Sequence, residues 1–191
     1  MGIARGRDVQ AEEFLQTIPT TVHLVIPSIC YIEALTTLEQ EEKFNLDFIN
    51  KLDIQINEAE RNKTSTNARL LRSLLEQSRI SFLKQVNDTK ERFYSIFHLL
   101  SKRIEMIPLN SVILQKNLDR NILEKHIIDK LILECIIYHA HQHQNELKVF
   151  LSNNSKEFGK REVSVILQDT GIQYFNKTQN FLGWLKSQNE N

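Results

Sequence analysis

Along most of this chain apolar residues recur at three- and four-residue spacing, and four short β-rich runs interrupt that rhythm. Val22 to Ile26, stopped by Pro27, is the first run, and Ile104 to Ile107 before Pro108 is the second. Leu147 to Leu151 and Ile172 to Phe175 complete the set. Between them the spacing predicts helices. Asp8 to Thr17 carries an apolar edge of Phe14 and Leu15, with Ile18 following. Ser28 is placed to cap a helix in which Ile29, Ile32, Leu35 and Leu38 share one face. Phe44 to Ile56 is again helical, Asn57 to Lys63 is a break, and a long helical region runs from Asn67 to Lys102 with an interruption expected near Asn87-Asp88. The stripe of that region starts at Leu70 and ends at Leu100. It is wide enough to serve core packing and leave part for a partner. Asn110 or Ser111 starts a short helix ending near Asn117, and Ile127 to His139 is a strongly apolar helix. Val163 to Leu167 belongs to another, ended by Gly171, and Phe181, Leu182, Trp184 and Leu185 mark a terminal one.

Strands that alternate with helices predict a parallel sheet covered on both faces, an α/β fold. The helices between Ser28 and Lys102 exceed a single crossover, so residues 44–102 read as a helical insertion within one domain of residues 1–191. A chain of this length buries one substantial core.

Charge narrows the function classes. Twenty-four basic and 24 acidic side chains cancel, so no whole-protein field draws in a nucleic acid. Local basic groups exist at Lys84, Lys90, Arg92, Lys102 and Arg103, and again at Lys156, Lys160 and Arg161. The second group could contact phosphates without reading sequence, but ordinary surface charge balancing surface acids accounts for it slightly better. No apolar run reaches the length of a membrane span, and the chain reads as cytoplasmic. Cys30 and Cys135 lie in apolar segments and read as small core residues. His139, His141 and His143 alternate at two-residue spacing, which does not place ligands on one helical face, and a solvated helix end accounts for them better than zinc. Tyr31 and Tyr174 read as packing residues. Glycine-rich phosphate loops, nucleophile triads and dinucleotide fingerprints are absent from the sequence.

The chemistry-bearing positions fall near strand ends. Glu33 follows the first strand, Asp129 opens the apolar helix, and Ser152 and Asn154 follow the third strand, with Glu157 three residues on. Ligands of open α/β sheets bind at such carboxyl ends. Glu33, Asp129 and Asn154 could offer oxygens to a hard divalent cation that activates water and neutralises a phosphodiester. The alternative is a surface glutamate and an acid that favours a helix dipole. Glu157 reads as a solvated loop acid, with a substitute site carboxylate as the alternative.

Three segments carry a resemblance. Pro27-Ser28-Ile29-Cys30-Tyr31-Ile32-Glu33-Ala34-Leu35, Asp129-Lys130-Leu131-Ile132-Leu133 and Phe150-Leu151-Ser152-Asn153-Asn154 resemble the second, third and fourth blocks of PIN domains. The resemblance implies a small three-layer α/β/α domain that gathers acids around Mg²⁺ or Mn²⁺ and cleaves RNA, often as the toxin of a toxin–antitoxin pair. It implies that Glu33, Asp129 and Asn154 hold the metal, with Ser152 ordering the same turn. The family's first block, a strand ending in an Asp-Thr-Asn-like motif, has no counterpart before Asp8. Two functions follow as expectations. One is a metal-dependent endoribonuclease. The other is a degenerate PIN-like domain that binds RNA or protein, with an antitoxin or a second copy meeting the helical region.

Overall fold

A computed structural model describes residues 2–189. The order of elements is α1 (Val9–Gln16), β1 (Val25–Pro27), α2 (Ser28–Arg61), α3 (Thr66–Arg103), β2 (Glu105–Ile107), α4 (Ser111–Asp119), α5 (Ile127–Gln142), β3 (Lys148–Leu151), α6 (Ser155–Phe158), α7 (Arg161–Asp169), β4 (Ile172–Phe175) and α8 (Thr178–Asn189). Residues 2–7 form turns, and no strand precedes α1 among the described residues.

Strand pairing is parallel, as the alternation of strands and helices predicts. β1 lies on β2 with Val25 opposite Glu105, and β3 lies on β4 with Lys148 opposite Ile172. The four strands do not join into one sheet. Among the described residues they form two separate two-stranded ladders, so the mixed α/β class stands while no single three-layer sandwich is built. The strands are only three or four residues long, and a crossover joins each parallel pair. Pro27 closes β1, where its missing N–H costs no ladder bond.

Two compact units share the chain. The first holds residues 2–7 and Ala34–Leu100, and the second holds Asp8–Glu33 with residues 101–189. The first unit takes in most of α2 and α3, continuous helices of 34 and 38 residues. The break falls at residues 62–65, and no interruption occurs at Asn87-Asp88. Both of these residues are exposed, where Asn and Asp cost a helix only about 0.7 kcal/mol each. Lys90 bonded to Glu42 at 2.6 Å and the buried ring of Phe93 hold the helix through that stretch. Ala4, Leu38 and Phe93 form the centre of this unit. Farther along, Arg79 meets Asp53 at 2.6 Å and Phe48 meets Phe82 edge to face at 4.8 Å.

The second unit has the larger core. Leu133 and Ile137 of α5, Phe158 of α6, and Val163 and Leu167 of α7 pack with Ile172 of β4 and Ile29 from the start of α2. Alongside it, Ile107, Ile113 and Cys135 form a smaller cluster. Asn110 caps α4 by accepting the Ile113 N–H at 3.0 Å. Gly171 stops α7 with φ at +70°, a conformation that suits glycine. Asp8 caps α1 through Ala11 N and takes the Thr178 hydroxyl at 2.7 Å, tying α1 to α8. Burial pushes the thiols of Cys30 and Cys135 up to about 12 and about 11, as expected for core cysteines. No helix among the described residues is long and apolar enough to cross a membrane.

Candidate functional site

The end of β3 and the start of α5 converge on one polar centre. Past Leu151 the chain stays tied to β4, because Ser152 N donates to Phe175 O at 3.0 Å and the Tyr174 hydroxyl donates to Ser152 O at 2.9 Å. The Ser152 hydroxyl accepts the Asn154 N–H at 3.3 Å, a local turn bond that sets the loop. Asn154 then stands before α6 with its amide Nδ2 donating to Asp129 Oδ1 at 2.9 Å. Asp129 occupies the first turn of α5, where the helix dipole favours a negative charge.

Glu33 joins this group through its field. Its carboxyl is raised above the ordinary value by partial burial and by the charge of Asp129. Asp129 is raised by burial, opposed by the Asn154 hydrogen bond, and raised further by Glu157. The structure thus brings Asp129, Asn154 and Ser152 together by direct bonds and couples Glu33 to them electrostatically.

Three further residues complete the centre. Glu157 is buried, at 3% exposure, and is no solvated loop acid. Lys160 pairs with Glu157 Oε2, and His126 Nε2 lies 3.3 Å from Glu157 Oε1. The other nitrogen of His126 is 4.0 Å from Asp129 Oδ2, so one imidazole spans both acids. His126 is aimed by the preceding turn, in which Leu123 is buried with φ at +50°. That conformation is strained for leucine, and its core packing holds it. The Lys160 pair draws the Glu157 carboxyl below its ordinary value, helped by His126. The i,i+3 spacings of His126 to Asp129 and Glu157 to Lys160 were the available signals.

The two acids carry opposite pH signatures. The carboxyl of Asp129 titrates higher in the folded chain than in the unfolded one, so the native state holds more protons. Stability therefore falls as pH rises through the window above 3.8. Glu157 is depressed, so its contribution is complete above 4.5 and is lost as pH falls through the lower folded value. Asp129→Asn is expected to raise the melting temperature at pH 7 and Glu157→Gln to lower it. Both differences shrink toward zero as the pH falls and the acids protonate. Thermal melts at several pH values check this, and equal signs at pH 7 would refute it.

These donors do not fit a divalent metal. A hard cation needs several free oxygen ligands. Asn154 turns its N–H donor to Asp129, and the two oxygens of Glu157 face His126 and Lys160. Among the described residues no group of three His, Cys, Asp or Glu side chains is placed to hold a metal ion.

The sequence model of the PIN domain family matches residues 3–158, more than half of the chain. The protein belongs to the PIN domain family. No curated protein and no solved structure matches it. The PIN match runs through both compact units and ends at Phe158 of α6, so it contains Glu33, Asp129, Ser152 and Asn154. Lys160, the cation on Glu157, stands just beyond it.

The other ionisable cluster of this PIN chain lies at the far end of α5. His139 and His143 stack at 4.3 Å, and His23 Nε2 contacts Glu105 at 3.0 Å. His139 Nε2 is buried without a hydrogen-bond partner. Burial lowers the pKa of His139, aided by His143, so this ring is not the solvated helix terminus that the spacing predicts.

Proposed function

We propose that this PIN-family chain is a non-cleaving interaction module that self-associates through the helical hairpin of α2 and α3. The observation that carries the reading is the capture of the Asp129 and Glu157 carboxylates by Asn154, His126 and Lys160. Oxygens engaged in this way are not free to ligate a metal or activate water.

The chemistry of the hairpin favours protein over RNA. Between Ala34 and Leu100 there are ten acidic and ten basic side chains, and binding a phosphate backbone needs a basic surplus. The hairpin instead exposes large apolar groups in i,i+4 pairs, with Phe44 at 72% and Phe48 on α2, and Leu70 at 60% and Leu74 on α3. Ala34–Arg61 holds seven acids against three bases, whereas Thr66–Leu100 holds six bases against three acids. The charges of the two helices meet within the hairpin, at Lys90–Glu42, Arg79–Asp53 and Arg72–Glu60, so the apolar face and its area favour a second copy as the occupant. A two-fold axis running along the hairpin sets α2 of one copy over α3 of its partner and covers the exposed apolar pairs of both. The hairpin stretch is about 40 Å long and about 20 Å wide, roughly 800 Å² of face. Standard interfaces use about 800 Å² per partner.

Sedimentation of the full chain should give a dimer at about 10 μM, and Phe44→Ser with Leu70→Ser should weaken it at least about tenfold. In the same preparation, a mixed RNA pool with Mn²⁺ should remain uncut. The competing reading is a metal-dependent endoribonuclease, supported by PIN membership and by the coupled acids Glu33 and Asp129. Cleavage that chelator abolishes and Asp129→Asn removes would displace our proposal in its favour.

A further inference from the structure

Asp129 and Glu157 together have four carboxylate oxygens, and each faces a protein group. Asp129 Oδ1 accepts from Asn154 at 2.9 Å, and Asp129 Oδ2 lies 4.0 Å from His126. Glu157 Oε1 is 3.3 Å from the other nitrogen of His126, and Glu157 Oε2 is bonded to Lys160. Lys160 is the fixed cation of the set. It immediately precedes α7 and its N–H reaches Glu157 O at 3.4 Å, so the turn folds it back over the acid. Gly159 allows that turn, since a Cβ there would run into the Ser155 carbonyl oxygen. An ammonium held in this position repels a second cation and occupies an oxygen that it would need.

We propose that Lys160 is a built-in counter-cation that closes this carboxylate centre to divalent ions, and that its removal opens a Mn²⁺ site on Asp129 and Glu157. The inference rests on the non-cleaving reading of the centre and supplies its cause. Glu157 is nearly enclosed, so a counter-charge is needed whenever it is ionised. Lys160 supplies that charge from within the chain, and the centre is complete without an ion.

Mn²⁺ titration of the full chain, read by water-proton relaxation, tests this without RNA. Wild type and Lys160→Arg should show only the weak background of Glu157→Gln. Lys160→Met should bind one Mn²⁺ per chain at least about tenfold more tightly than wild type, and adding Glu157→Gln should remove that binding. If Lys160→Met loses its far-ultraviolet circular dichroism, Lys160→Ser carries the same comparison, because it removes the charge and frees the carboxylate oxygen while letting water reach the acid. A folded lysine variant as blind to Mn²⁺ as wild type overturns the proposal. So does wild-type binding that depends on Glu157. RNA cleavage by a wild-type chain blind to Mn²⁺ would remove the functional reading and leave this inference standing.

Discussion

Arg120→Met is expected to lower the unfolding free energy by about 3–5 kcal/mol, the usual loss when one partner of a buried ion pair is removed. Glu134 lies on α5 between Leu133 and Cys135, and all three side chains are fully buried. Its carboxylate meets the guanidinium of Arg120 in a two-pronged contact. Nε bonds to one oxygen, and Nη2 reaches the other at 3.4 Å. Arg120 itself follows α4, and its N–H bonds to Lys116 O at 3.1 Å, so the last turn of α4 delivers the cation to α5. The Arg120 side chain keeps 30% exposure, so its own desolvation is modest and the burden falls on Glu134. Without the guanidinium a carboxylate remains in a dry interior with no counter-charge. The double variant Arg120→Met with Glu134→Leu removes that charge and should regain most of the loss. Urea unfolding of the two single variants and the double one measures the coupling. A loss below about 1 kcal/mol in Arg120→Met would place Glu134 in contact with water after all.

Phe158→Ala carries the second large effect, also about 3–5 kcal/mol. The Phe158 ring is buried at the end of α6 and meets Phe150 of β3 edge to face at 4.9 Å. It joins α5, α7 and β4 in one core, and truncation leaves a cavity among elements too rigidly packed to collapse. Glu157 is its chain neighbour, so the effect extends to the site. A loosened α6 should release Glu157 from Lys160 and His126, and the acid depression of Glu157 should relax toward its ordinary value. Urea unfolding reads the first effect, and carboxyl titration by nuclear magnetic resonance reads the second. Phe158→Leu, which fills most of the same volume, should lose less than half as much stability. Equal losses in the two variants would argue against the cavity account.

How much of this was legible in the sequence depends on the distance over which each feature is encoded. All four strands lie within a few residues of their β-rich runs, because alternation and flanking proline are local signals. The helices α1, α4, α5, α7 and α8 were legible for the same reason. The expected break at Asn87-Asp88 failed because propensity is weak beside the packing of Phe93 and the Lys90 pair. Sheet continuity was not legible at all, since which strands share a ladder is fixed by tertiary contacts. At the site, Asp129, Asn154 and Ser152 could be grouped from their places at strand and helix ends. Glu157 was misjudged because its burial depends on His126, which arrives from a distant turn, and on a lysine that looked like ordinary surface charge. Glu134 raised no signal, because the sequence does not reveal that Arg120 waits opposite.

The parallel pairing of β1 with β2 has a consequence for how the chain folds as it is made. β1 leaves the ribosome long before β2, and the whole α2–α3 hairpin is synthesised in between. Helical contacts between neighbours in sequence form fast, whereas a distant strand pair must await closure of the intervening loop. A hairpin that zips up early turns that loop into a short effective tether. The nascent chain should therefore acquire its helical arm first, with β1 held as an unpaired edge until β2 emerges. During that interval the growing protein is most exposed to aggregation and most in need of a chaperone.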